Sequence, residues 1–113
     1  TATDYIAITE TRRALNQQLG TEMAGPTFLV MPTVAITAPK IALLDASDDV
    51  FHATNSTALR NTMIGNYFDL PGFTIPSGTD VKGLPTGVLF NAYTGQDELL
   101  MCYMQSIERA VNA

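Results

Sequence analysis

The chain has 113 residues, 46% of them hydrophobic and 15% charged, with a formal net charge of −5 and a mean hydropathy of +0.12. That length fills one small domain and is too short for two well-packed cores. The acidic balance, with Arg12-Arg13 as the one basic pair, excludes nucleic acid as a partner, and no apolar run reaches the roughly 18 residues of a membrane span.

Cys102 stands alone, so neither an internal disulfide nor a Cys-based metal site can form. A lone Cys beside five Met fits a reducing, cytoplasmic compartment. The chain opens on Thr1 with no signal-like segment, as a piece of a longer protein would. So apolar a short chain implies surface buried against something outside it.

Residues 4–24 read as a helix capped by Thr3 or Asp4. Ile8, Leu15, Leu19 and Met23 form its apolar stripe, Glu10, Arg12, Arg13, Gln17 and Gln18 face elsewhere, and Gly25-Pro26 stops it. Residues 27–31 run Thr-Phe-Leu-Val-Met without alternation, which predicts a strand covered on both faces. Residues 33–40 read as an extended loop and 41–55 as an irregular excursion with at most a helical turn. A second helix is expected over 56–68, capped by Ser56, with Leu59, Met63, Ile64 and Tyr67 along one face. Gly65 within it suits close packing. Pro71 ends the helix. Strands follow at 73–77 and 86–92, joined as a hairpin. The closing helix, 97–111, carries acid in its first turn and a stripe of Leu100, Tyr103, Met104, Ile107 and Val111. The order is α/β: a small mixed sheet of about three strands with three main helices, whose outer strands are left open.

Several motifs in order carry a resemblance to a known family. They are Phe28-Leu29-Val30-Met31-Pro32-Thr33, then Ala38-Pro39-Lys40-Ile41, then Leu59-Arg60-Asn61-Thr62 with Asn66 and Leu70-Pro71-Gly72. Gly83-Leu84-Pro85-Thr86-Gly87 and Gly95-Gln96-Asp97-Glu98-Leu99-Leu100 complete the series. Together they resemble the C-terminal end of the amidase-signature hydrolases. Asp69 departs from the pattern, standing where a small residue, often Gly, is usual. The resemblance implies a fragment of an α/β/α sandwich and a Ser–Ser–Lys hydrolysis of carbon–nitrogen bonds. It also implies that the nucleophile lies outside these residues, so no catalytic residue is expected in this segment. Thr33, Arg60, Asn61 and Asn66 are then candidates for a wall of the substrate pocket. The expected partners are the remainder of the amidase chain and a small amide substrate, with no cofactor and no metal.

The remaining chemistry-bearing residues have plainer readings. Ser106, His52 and an Asp could be drawn as a hydrolytic triad, but Ser106 reads as a solvated helix position. His52 with Asp48 and Asp49 lacks the spacing of a calcium loop and reads as an exposed acidic loop. Cys102 reads as a buried, inert thiol. Lys40 and Lys82 lie beside loops that promise no desolvated pocket. Arg60, Asn61 and Asn66 read first as anchors for loop carbonyls, ahead of a role in the pocket wall. The rival to the amidase reading is a non-catalytic module that dimerises through its sheet edges or helices.

Overall fold

A computed structural model describes residues 1–111. The elements are α1 (Ala2–Glu22), β1 (Leu29–Pro32), α2 (Ile41–Leu44), α3 (Asp48–Leu59), α4 (Thr62–Phe68), β2 (Gly72–Thr79), β3 (Pro85–Asn91) and α5 (Asp97–Val111). The architecture is α/β with three strands, as the sequence predicts. The strand order is β1-β3-β2, and both ladders run antiparallel. Among the described residues, no helix is long and apolar enough to cross a membrane.

β3 is the central strand, and seven residues with no interior proline let it pair on both sides. Pro85 merely begins it, whereas Pro32 and Pro76 lie in the outer strands, where a missing N–H costs no ladder bond. Phe73 pairs with Phe90 and Ile75 with Val88, so these four share one face of the sheet. Against that face α5 lays Leu100 and Met104, forming the core with Ile75, Phe90 and Ala92. Burying each such large side chain contributes about 1.5–3 kcal/mol. The opposite face carries Leu89 and Asn91 and meets α4, where Gly65 is buried. A Cβ at Gly65 would stand 3.3 Å from Asn91 Nδ2, which is the close packing expected of it.

Several expectations need correction. The helix expected over 56–68 is two helices, and the irregular region before it is largely helical. Ser56 lies inside α3; the cap position is Ser47, followed by Asp48 and Asp49 in the first turn. α3 buries no residue, so it carries no periodic stripe from which a reader could find it. The helices part at Arg60-Asn61, where polar side chains compete for the backbone. Thr62 Oγ1 donates to the Leu59 carbonyl at 3.1 Å, and Asn61 turns away to β1.

α1 is capped by Thr1, not Thr3 or Asp4, with Asp4 closing a capping box. Its apolar stripe is engaged only at the end: Met23 is buried, while Ile8 and Leu15 are exposed. The face that meets the body is instead Arg12, Asn16 and Gly20, at spacings of four, so Arg12 does not face elsewhere. β1 is not covered on both faces. α5 packs over β2, and Val30 on the outer strand stays 52% exposed. On α5, Tyr103 and Val111 are exposed as well. Cys102 is exposed rather than buried, because it lies two residues from both Leu100 and Met104 and so on the far side of the helix.

The result is a slab, 47 × 42 × 17 Å, with a radius of gyration of 17.1 Å. A closed domain of this size would have about 13 Å.

Candidate functional site

The hairpin and the β1 exit build a groove on the sheet face opposite α5. β2 carries one extra residue: Pro76 pairs with Gly87 and Gly78 with Thr86, leaving Ser77 as a bulge. Beyond the bulge the turn is organised by Asp80. Its Oδ1 accepts from the Lys82 and Leu84 backbone N–H groups at 2.8 and 2.9 Å. Those bonds, that from Leu84 foremost, hold the Asp80 carboxyl below its ordinary value.

At the other end Thr33 continues the β1 ladder, its N–H donating to the Gly87 carbonyl at 2.9 Å. Thr33 Oγ1 donates to Thr74 Oγ1 at 3.2 Å across the central strand. Gly87 permits this approach. A Cβ there would stand 2.8 Å from Thr74 Cγ2, 3.0 Å from Thr33 Oγ1 and 3.4 Å from the Ile75 carbonyl. A glycine inside a strand marks such a crossing, and it is the signal in the sequence that could have pointed to this place.

The groove has a volume of about 780 Å³. Segment 32–39, Ala58 of α3, and residues 74, 76, 77 and 85–88 of the hairpin line it. Most of that lining is apolar, and it includes no Asp, Glu, Lys, Arg, His or Cys. Of the four candidate pocket residues, Thr33 lines the groove. Asn61 stands just behind it: its Nδ2 donates to the Pro32 carbonyl at 2.7 Å and fixes where β1 leaves the sheet. Arg60 and Asn66 are exposed and do not line the groove. Thr74 and Ala58 were not singled out by sequence reasoning, and Gly87 and the Ala38-Pro39 loop were read as motif and not as pocket, because the concavity comes from three separate segments.

The other candidates stay apart. His52 is exposed on α3, edge-on to Phe51 at 5.6 Å, and Ser106 is exposed on α5. Lys40 precedes α2 and Lys82 sits in the hairpin turn, both exposed. Among the described residues, no three of His, Cys, Asp and Glu gather to hold a metal ion. The arrangement can shape and desolvate a ligand, but no ionisable side chain lines it, and the Asp80 carboxylate that meets Thr37 at its edge is held below its ordinary value, which makes it a weak base.

A second, smaller notch of about 300 Å³ lies between α1 and the loop after β3. It is a structural junction. Arg12 and Asn16 donate to the Tyr67 and Phe68 carbonyls, and Thr94 donates to those of Phe68 and Asp69. These side chains satisfy the last carbonyls of α4, which the helix itself leaves unpaired.

Comparison with known proteins accords with the motifs. The family described as Amidase matches residues 1–101. Among curated relatives, a fatty acid amide hydrolase of Oryza sativa subsp. indica is 30% identical over 89 residues, covering 78% of this chain and 15% of the relative. An indoleacetamide hydrolase of Pseudomonas savastanoi is 34% identical over 84 residues, 74% of this chain and 17% of the relative. A fatty acid amide hydrolase of Medicago truncatula is 32% identical over 91 residues, 78% of this chain and 15% of the relative. The chain thus spans no more than 17% of the length of any of these three. No solved structure matches it significantly.

Proposed function

Because the chain belongs to the amidase family, we propose that it is the C-terminal part of a longer amidase that hydrolyses the carbon–nitrogen bond of a small amide. In this reading the segment supplies scaffold and one wall of the substrate pocket. The Ser–Ser–Lys set, in which one serine attacks the carbonyl while the second serine and the lysine move its proton, lies in the rest of the protein.

The observation that carries the reading is a groove whose lining holds no ionisable side chain. An amide is unactivated, so its hydrolysis needs a nucleophile with a proton acceptor beside it and fixed donors for the oxyanion. The groove is lined by threonine and serine hydroxyls with no ionisable side chain, and the Asp80 carboxylate that meets Thr37 is held below its ordinary value, a weak base. A lysine base must be desolvated to lose its proton near neutral pH, and both Lys40 and Lys82 are exposed.

The shape supports the same division. Tyr5, Ile6 and Ile8 on α1 are 72%, 55% and 62% exposed, and the slab is too thin to enclose them. The remainder of the amidase would cover this face. A single free, exposed Cys102 suits a cytoplasmic protein.

The test is to find the nucleophile. The whole protein, treated with a fluorophosphonate that captures activated serines, should carry the label on a serine outside residues 1–113. Label on Ser47, Ser56, Ser77 or Ser106, with loss of activity, would place the chemistry inside this segment and end the proposal.

A further inference from the structure

The chain leaves the sheet at Pro32-Thr33 and comes back beside it at Asn61, and these two points are tied together. Asn61 Nδ2 donates to the Pro32 carbonyl at 2.7 Å. Thr33 is fixed to its neighbours by its N–H on the Gly87 carbonyl at 2.9 Å and its hydroxyl on Thr74 at 3.2 Å. Everything between, the loop 34–40 with α2 and α3, hangs from this closed base.

The body beyond the base is held loosely. α2 and α3 pack chiefly on each other and bury no residue. Ile41, Leu43, Val50 and Phe51 are exposed. Among the described residues, no backbone hydrogen bond joins 34–39 to the hairpin. What reaches across is the Thr37 hydroxyl, which donates to the Asp80 carboxylate. Asp80 is itself fixed in its turn, its N–H on the Leu84 carbonyl at 2.8 Å and its own carbonyl accepting from Gly83 at 3.0 Å. A segment with little buried apolar area and one polar tie opens at small cost, while a paired hairpin stays shut. The loosely held segment carries one side of the groove through 34–39 and Ala58, and the hairpin carries the other.

We propose that residues 34–59 are a lid on this groove, hinged at Thr33 and Asn61 and latched by Thr37 on Asp80. Its opening sets access to the groove. The inference stands on this geometry and goes beyond the amidase reading, which it does not require.

The experiment uses the whole protein and hydrogen exchange read by mass spectrometry, peptide by peptide. Amides of 34–59 should exchange faster than those of β3. In Thr37→Val, which is nearly isosteric and removes the donor, they should speed up together by about threefold or more, with β3 unchanged. Thr37→Ser keeps the hydroxyl and should exchange as the parent does. Access is read on Ala58→Cys, a thiol in the groove wall. A bulky maleimide should label that position about threefold faster or more when Thr37→Val is added. Ala35→Cys repeats the labelling should Ala58→Cys fail to fold.

Exchange of 34–59 as slow as that of β3 overturns the proposal, as does exchange left unchanged by Thr37→Val or quickened in β3 as well. Thr37→Ser behaving like Thr37→Val, or labelling that Thr37→Val does not move, overturns it equally.

Discussion

Arg12 and Asp69 lie 57 residues apart in sequence and meet in space, Nη2 to Oδ2 at 2.5 Å. Asp69 ends α4 in the left-handed conformation, φ 54° and ψ 38°. A residue with a Cβ is strained there, and glycine would not be. Asp69 sets a tie to α1 against that strain. The guanidinium also lies 5.8 Å from the centre of the Tyr67 ring, so one side chain holds the junction of α1 and α4.

Replacing Asp69 separates the two effects. Asp69→Gly removes the strain, about 1 kcal/mol, and also a partly exposed ion pair of about 0–1 kcal/mol. Its stability should therefore stay within about 1 kcal/mol of the parent. Asp69→Ala loses the pair and keeps the strain, and should fall about 1–2 kcal/mol below Asp69→Gly. Denaturant unfolding of the whole protein measures both. Equal losses in the two variants would show that the backbone strain is unimportant.

Gly87→Ala tests the crossing under the groove. The new methyl would meet Thr74, Thr33 and the Ile75 carbonyl together. Two of these neighbours are β-branched side chains in an antiparallel sheet and cannot swing freely. Overpacking of this kind costs about 1–3 kcal/mol, and the melting temperature should drop accordingly. A variant as stable as the parent would mean that the strands can separate at no cost.

Asn61 should matter through its donor rather than its size. Asn61→Ala strands the Pro32 carbonyl and should cost about 1–2 kcal/mol. Asn61→Asp sets a carboxylate against that carbonyl and should be worse at neutral pH, despite being nearly isosteric. Amide exchange of Thr33 would report the loosened strand end. If Asn61→Asp behaves like the parent, the hydrogen bond has no structural weight.

The hairpin turn should respond to acid in one direction. Asp80 has its carboxyl lowered from 3.8 by accepting the Leu84 and Lys82 N–H groups. A depressed folded value means that its stabilising effect is complete above the unfolded value of about 3.8 and is lost as pH falls through the lower folded one. Exchange protection of the Leu84 amide should decline below about pH 4. Asp80→Asn keeps an acceptor without the charge and should remove that dependence.

How far the sequence could be read follows from what each element buries. α5 was legible because Leu100 and Met104 repeat at helical spacing against the sheet. The hairpin was legible from Gly83-Leu84-Pro85-Thr86-Gly87, although the turn proved shorter and the strands longer. α3 was missed because it buries nothing, and a helix without an inner face leaves no period. On α1 the apolar positions misled, since its contacts run through Arg12, Asn16 and Gly20. At the candidate site, Thr33 was found through the Pro-Thr turn. Thr74 and Ala58 were not, because nothing local marks residues that become neighbours only when three segments fold together.

The division of chemistry is tested most directly by assaying the 113-residue segment and the whole protein side by side on butanamide and acetamide. The account predicts turnover by the whole protein and none above background by the segment. Turnover by the segment alone would contradict it.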